Sequence, residues 1–134
     1  MTSDIPSSLK INRGNFSQCG SLLSTQLSRG VSVILFYSPR CRYCESFAPV
    51  FLQLKQQYGI QLGAIDMSDI QNNELSTMAA SKFPFQINGY PTIVIYYDGE
   101  PCSWYIGARD IKTLYEAVVG ISGKSQCSLR FSPC

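Results

Sequence analysis

The sequence of 134 residues contains no histidine. This absence excludes catalysis by a histidine acid or base, catalytic triads that need histidine, and metal sites with histidine ligands. Charge is scarce as well, since only 15% of the residues are charged and the formal net charge is +2. A nucleic-acid ligand requires a concentrated positive face, so we do not expect nucleic acid as a partner.

Long apolar runs are also missing. The longest run, Val33 to Tyr37, has the length of one strand, whereas a membrane-spanning helix needs about 20 apolar residues. The N-terminal sequence MTSDIPSSLK has no positive start followed by an apolar stretch, so we predict neither a secretory signal nor a membrane partner. If Met1 is the native start, the predicted location is the cytoplasm; otherwise an oxidising compartment stays open.

The length suits one domain, and the hydrophobic fraction of 45% is sufficient for a core. We predict a domain over residues 1–121, whose first 14 residues form an extended N-terminal segment. Residues 122–134 form a polar tail that contains cysteine. The expected assembly is a monomer, or a dimer that is weak or linked by a disulfide.

The pattern of apolar residues alternates between helical and strand periods. Strands are predicted at Val31 to Tyr37, Ile60 to Asp66, Thr92 to Tyr97 and, across an Asp98–Gly99 turn, Ser103 to Ile106. Helices are predicted at Asn15 to Leu27, from Arg42 to about Tyr58 with Pro49 inside, near Asn72 to Lys82, and after the N-cap Asp110. This order predicts an α/β fold in which helices cover both faces of a mixed sheet.

The chemistry is concentrated in the sequence CRYC at residues 41–44, which follows a buried strand and opens a helix. Unpaired N–H groups and the partial positive charge of a helix N-terminus stabilise a thiolate. Arg40 and Arg42 flank Cys41 and are predicted to add to that stabilisation. Cys41 is therefore the candidate attacking thiol, and Cys44, one turn further, the candidate resolving thiol.

The same spacing is typical of half a zinc site, which would need two further ligands. Without histidine those ligands would be cysteines, and Cys127 and Cys134 could supply them. A metal or iron–sulfur module is therefore an alternative to a redox pair, and we expect no metal. The strand–CxxC–helix context favours the redox interpretation.

The segment FYSPRCRYCESFAP, residues 36–49, resembles the active-site segment of the thioredoxin superfamily, most closely that of protein disulfide isomerase domains. The similarity extends over residues 15–121. It includes the helix proline Pro49, the GYPT sequence at residues 89–92 and Gly107 after the predicted hairpin. The resemblance implies the thioredoxin fold, with a mixed sheet of four or five strands and helices on both faces.

The resemblance also implies a cis bond between Tyr90 and Pro91, with both residues lining a groove for an extended substrate peptide. We assign Tyr43 to the same substrate-binding surface. The expected partners are protein thiols and disulfides, together with an unknown oxidase or reductase that recycles the dithiol. No cofactor is expected beyond the Cys41–Cys44 pair itself.

The sequence departs from the family at three positions near the dithiol. Leu35 stands where the family has a buried acid that exchanges a proton with the resolving cysteine, and Ala64 replaces the lysine that often accompanies it. Arg40 replaces an aromatic residue. We therefore predict slow resolution of mixed disulfides and an oxidase or isomerase rather than a fast reductase. A redox-inactive scaffold or binding protein is the second hypothesis.

Four cysteines lie outside this motif. Cys19 is predicted to be a buried free thiol on the first helix, and Cys102 to be partly exposed after the hairpin. Cys127 and Cys134 could pair with each other, with Cys102 or Cys19, or with a second chain. Cys102, Cys127 and Cys134 are therefore candidate accessory thiols, and relay of electrons from the tail to Cys41–Cys44 is a further hypothesis.

Overall fold

The computed structural model describes residues 5–129 of the chain. Within that range no helix has both the length and the apolar character needed to cross a membrane. Its strands and longer helices are, in chain order, β1 (Val31–Tyr37), α1 (Arg42–Tyr58), β2 (Gln61–Asp66), α2 (Glu74–Ser81), β3 (Thr92–Tyr97), β4 (Glu100–Tyr105) and α3 (Ile111–Val119).

These strands form one mixed sheet in the order β2-β1-β3-β4, with β2 parallel to β1 and the other neighbours antiparallel. The two central strands are almost wholly buried, as their continuous apolar sequences predict. Asp98 and Gly99 connect β3 to β4 with positive φ angles of 49° and 83°, the geometry that an Asp-Gly hairpin turn favours. Pro101 is tolerated in β4 because that strand lies at the edge of the sheet.

Helices α1 and α3 pack together on one face of the sheet. Helical spacing places Phe47, Phe51 and Leu54 of α1 in the core, and Leu114 and Val118 of α3 complete it. Helix α3 begins as predicted, with the Asp110 carboxylate accepting a hydrogen bond from the Thr113 N–H at 2.8 Å. This packing holds the first turn of α1 at the carboxyl end of β1.

The opposite face is covered by α2 and by irregular chain. Alternate residues of the central strands, among them Ile34, Phe36 and Tyr96, point to this side. The Tyr96 hydroxyl donates to the Gly20 carbonyl at 2.6 Å, which ties the N-terminal segment to the sheet. The mixed sheet with helices on both faces confirms the predicted fold class.

The predicted helix over Asn15 to Leu27 is wrong. The chain there forms turns, and Gly20 has a φ of 91°, outside the right-handed helical region. The Ser17 hydroxyl accepts hydrogen bonds from the backbone N–H groups of Cys19 and Ser21, so a side chain competes with helical hydrogen bonding. Leu23, expected in the apolar stripe, is 59% exposed.

The described parts of the two terminal segments are packed against the sheet. Residues 5–14 are not simply extended, because they contain the single-turn helix Ser7–Leu9 and the start of another at Arg13. In the tail, the Leu129 N–H donates to the Cys102 carbonyl at 3.0 Å. The packing of this tail brings Cys127 within bonding distance of Cys102.

Candidate active site

Cys41 is the N-cap of α1, directly after the turn that leaves β1. Its backbone N–H donates to the Ser38 carbonyl at 3.1 Å, which closes that turn. Its Sγ accepts a hydrogen bond from the Cys44 N–H at 3.2 Å, and its side chain is only partly buried. The sulfur is therefore accessible to solvent. It accepts a hydrogen bond from an amide at the helix N-terminus that has no carbonyl partner within the helix, and such a contact can stabilise an anion.

The second contact of Cys41 comes from the loop before β3. The Tyr90–Pro91 peptide bond is cis, as the resemblance implies, and the Cys41 thiol donates to the Tyr90 carbonyl at 3.3 Å. Tyr90 is half-buried and Pro91 is buried. The Cys41 sulfur is therefore held between an N–H group of α1 and a carbonyl of the loop before β3.

Cys44 lies one turn inside the helix and is 2% exposed. Burial raises the pKa of its thiol to about 12, and a hydrogen bond with Cys41 acts in the same direction. The Ser38 backbone and the positive charge of Arg109 act against that shift, with smaller effects. Cys44 is therefore a neutral thiol at physiological pH.

The surroundings of Cys44 offer little to take its proton. Leu35 and Ala64 lie opposite each other in the β1–β2 register and belong to the same buried core as Cys44. Tyr37 is also buried there, and burial, Asp66 and Cys44 together raise the pKa of its phenol to about 12. A phenol that stays protonated at neutral pH is not a base, so Tyr37 does not replace the missing acid.

The predicted tuning residues Arg40 and Arg42 are exposed. With Pro39, Cys41 and Glu45 they line a depression of about 180 Å³ beside the sulfur. Their positive charges therefore lie at the rim of the site, in contact with solvent.

The structure also brings close to the dithiol a residue that the sequence interpretation missed. The Arg109 guanidinium lies 5.9 Å from the centre of the Tyr43 ring, which is 66% exposed. The predicted hairpin could have indicated the position of Arg109, because antiparallel pairing returns the end of β4 to the start of β3, next to Pro91. The loop after β4 must therefore pass the dithiol.

A groove of about 320 Å³ extends away from the dithiol between the Tyr90–Pro91 loop and the end of β4. Arg109 lies along one side, with the exposed aromatic and aliphatic side chains of Trp104 and Ile106. Of the residues predicted to bind substrate, Tyr90 and Pro91 line this groove. Tyr43 does not line the groove, but its ring contacts Arg109, which does.

Among the described residues, the accessory cysteines are disulfide-bonded and are not free thiols. Cys102 and Cys127 are joined by a disulfide with an S–S distance of 2.01 Å, and Cys102 is fully buried rather than partly exposed. Cys19 is half-buried and disulfide-bonded, so the prediction of a buried free thiol is wrong. Because the sulfur of Cys127 is bonded to Cys102, the suggested zinc set is not assembled; Cys134 lies outside the described residues.

Comparison with known proteins agrees with this geometry. The profile of the family described as Thioredoxin matches residues 10–119. A thioredoxin domain-containing protein of Theileria parva is 28% identical over 82% of this chain and 47% of its own length. A protein disulfide isomerase-like 2-3 of rice is 28% identical over 66% of this chain and 19% of its own length. The chain thus spans less than half of each of these two relatives.

The fold is shared with human ERp44. Its crystal structure, form I, superposes with a TM-score of 0.62 and 19% identity, covering 90% of this chain and 30% of ERp44. At that identity the likeness concerns the fold alone. The match of the family profile over most of the chain, together with a cysteine pair at the strand–helix junction beside a cis proline, places this chain in the thioredoxin family.

Proposed function

We propose that the chain is a thiol–disulfide oxidoreductase that exchanges disulfides with protein substrates, and that it favours oxidation and isomerisation over reduction. The observation that carries the proposal is the asymmetry of the dithiol. Cys41 is accessible and receives an amide hydrogen bond, whereas Cys44 is buried, neutral and one turn away. The names of the relatives, thioredoxins and disulfide isomerase-like proteins, support the same chemistry.

The exchange proceeds in two balanced steps. When a substrate is reduced, the Cys41 thiolate attacks one sulfur of its disulfide, forms a mixed disulfide and releases the other sulfur as a thiolate. Cys44 then loses its proton and attacks the Cys41 sulfur, which releases the second substrate thiolate. The substrate gains two electrons and the protein loses two. In oxidation the same steps run in reverse, and the dithiol is the redox centre.

The preference for isomerisation over reduction follows from the second step. Attack by Cys44 requires its thiolate, which is rare because burial holds the pKa near 12. Leu35 and Ala64 provide no group that removes the proton. A mixed disulfide therefore persists, and another thiol of the same substrate has time to attack it. That attack moves the disulfide within the substrate instead of reducing it, which is isomerisation.

Substrate binding is assigned to the groove beside Tyr90 and Pro91. An extended peptide lying there would place its sulfur against Cys41, and Tyr43 would border the peptide on the helix side. Recycling requires an external oxidase or reductase, which is proposed here only as a class of partner.

The reduction potential of the Cys41/Cys44 couple tests the proposed direction. It is measured by equilibration with glutathione buffers, with the Cys41→Ser variant as the blank. We expect a value between about −270 mV, typical of a reducing thioredoxin, and about −180 mV, typical of a disulfide isomerase. A value at or below about −270 mV would show a reductase. A Cys41 thiol that forms no mixed disulfide would favour the scaffold hypothesis instead.

A further inference from the structure

We propose that three exposed arginines make this site selective for substrate cysteines with acidic neighbours. The inference rests on the proposed function, because it names the class of peptide that the dithiol accepts. Arg40 and Arg42 are close to Cys41 in the chain, and Arg109 lines the groove beside Tyr90, whose carbonyl contacts the Cys41 sulfur.

Their positions border the region where we expect substrate to arrive. Arg40 and Arg42 line the depression that contains Cys41, and Arg109 lines the groove that contains Tyr90 and Pro91. A peptide that crosses the sulfur from groove to depression therefore passes guanidinium groups before and after its own cysteine. Arginine also presents paired donors that match the two oxygens of a carboxylate.

The described residues neutralise these charges only in part. Within residues 5–129 none of the three arginines forms an ion pair with an acidic side chain. Glu45 lines the same depression as Arg40 and Arg42, and Asp110, which follows Arg109 in the chain, caps α3 through its hydrogen bonds with Thr113. Three guanidinium charges against these two carboxylates leave one positive charge in excess at the rim, and a substrate carboxylate would offset it.

The charge acts on the encounter. A peptide with carboxylates beside its cysteine is attracted towards Arg40 and Arg42 as it approaches Cys41. A peptide with lysine at the same positions is repelled on approach. Charges at the rim of a binding surface mainly change association rates and their dependence on salt.

The test compares two ten-residue peptides that are each closed by a disulfide and differ only in carrying aspartate or lysine beside each cysteine. The pre-reduced protein is mixed with each peptide in a single turnover, so no recycling partner is needed. The protein is oxidised to its Cys41–Cys44 disulfide and the peptide is reduced to a dithiol. Reduction of both peptides by a neutral phosphine corrects for their intrinsic reactivity.

We expect the aspartate peptide to react about tenfold faster at low ionic strength, with a ratio that falls to about two in 0.5 M salt. The triple variant R40Q/R42Q/R109Q is expected to bring the ratio close to one, and each single variant to lower it about two- to threefold. The matched control is Arg29→Gln, an exposed arginine just before the start of β1, at the other end of the sheet, and it should leave the ratio unchanged. The ratio of the two peptides is the readout because it cancels any change in thiolate reactivity.

The outcomes separate the two proposals. Equal rates for the two peptides with wild-type protein would overturn the charge selectivity and leave the oxidoreductase intact. A tenfold preference that survives the triple variant would overturn the assignment to these arginines. Failure of the protein to react with either peptide would instead contradict the proposed function itself.

Discussion

Two cysteine pairs in this molecule have opposite character. Cys41 and Cys44 are three residues apart, carry free thiols and lie at the start of a helix, with one sulfur partly accessible. Cys102 and Cys127 are 25 residues apart, are joined by a disulfide, and connect the buried face of an edge strand to the tail. The first pair is built by local chain geometry and the second by the packing of distant segments.

The difference shows what makes a cysteine pair reactive. A thiol exchanges disulfides when another sulfur can reach it; Cys41 is partly accessible, and its sulfur receives a hydrogen bond from the Cys44 N–H. Cys102 is fully buried and its bonded partner Cys127 is half-buried, so one sulfur of this disulfide is closed to an external thiolate. We therefore expect the Cys102–Cys127 bond to contribute to stability and the Cys41–Cys44 pair to supply the proposed chemistry.

Removal of the attacking sulfur is expected to have the largest effect. Cys41→Ser should lower the rate of insulin reduction by about 1,000-fold or more, because no other described free thiol is accessible. The matched substitution Cys127→Ser breaks the Cys102–Cys127 disulfide. The folded variant should reduce insulin at the rate of the wild-type protein. Similar losses in both variants would show that the two pairs work together, as an electron relay requires.

Removal of the second pair should affect stability instead. We expect Cys102→Ala/Cys127→Ala to lower the free energy of unfolding by about 3 kcal/mol, since the disulfide closes a loop of 25 residues in the unfolded chain. Urea unfolding of the oxidised protein measures this, with Cys41→Ser as the control of similar chemistry. A loss below about 0.5 kcal/mol would show that the tail is held by its other contacts.

The pH dependence of resolution reports the burial of Cys44. Because the pKa of Cys44 is about 12, the fraction of thiolate increases about tenfold per pH unit between pH 7 and 10. The decay of a mixed disulfide between Cys41 and a small thiol should accelerate by the same factor. A plateau below pH 9 would contradict this.

Stability has the opposite dependence on pH. The raised pKa means that the folded state retains the Cys44 proton more strongly than the unfolded state does. This stabilisation is complete below the ordinary thiol pKa of about 8.5 and is lost as the pH increases towards 12. The urea midpoint should therefore decrease over that window.

A base introduced into the core that contains Cys44 should change the rate of the same step. In Leu35→Glu we expect resolution at pH 7 to be about tenfold faster, because a carboxylate within the core can accept the thiol proton. The fold should lose about 2–4 kcal/mol because a charge is buried. Leu35→Gln is the control with similar shape and no basicity, and equal acceleration in that variant would exclude proton transfer.

The smallest effect on the rate of resolution is expected from substitution of Arg109, which only the tertiary structure brings to the site. Arg109 lowers the pKa of Cys44 through its positive charge. Arg109→Gln should therefore slow resolution about two- to threefold at fixed pH, whereas Arg109→Lys keeps the charge and should restore most of the rate. The decay of the Cys41 mixed disulfide measures both. No change in either variant would show that solvent screens the interaction.

Predictions from the sequence were accurate where the signal was short in range and wrong where side chains compete with the backbone. The boundaries of β1 and β3 and the cap of α3 were confirmed, because continuous apolar runs and an N-cap aspartate act over a few residues. The helix expected from Asn15 failed. Apolar spacing there coincides with Gly20 and with serines that hydrogen-bond the local backbone, and these decide the conformation.

The sequence by itself determined the dithiol, its place between a strand and a helix, and the absence of an acid at Leu35, because each depends on residues close together in the chain. Tertiary structure decided how deeply Cys44 is buried, which cysteine bonds to Cys102, and where Arg109 lies. These features depend on contacts between distant segments. Many arrangements of such contacts are compatible with one local pattern, and only the packing of the whole core selects among them.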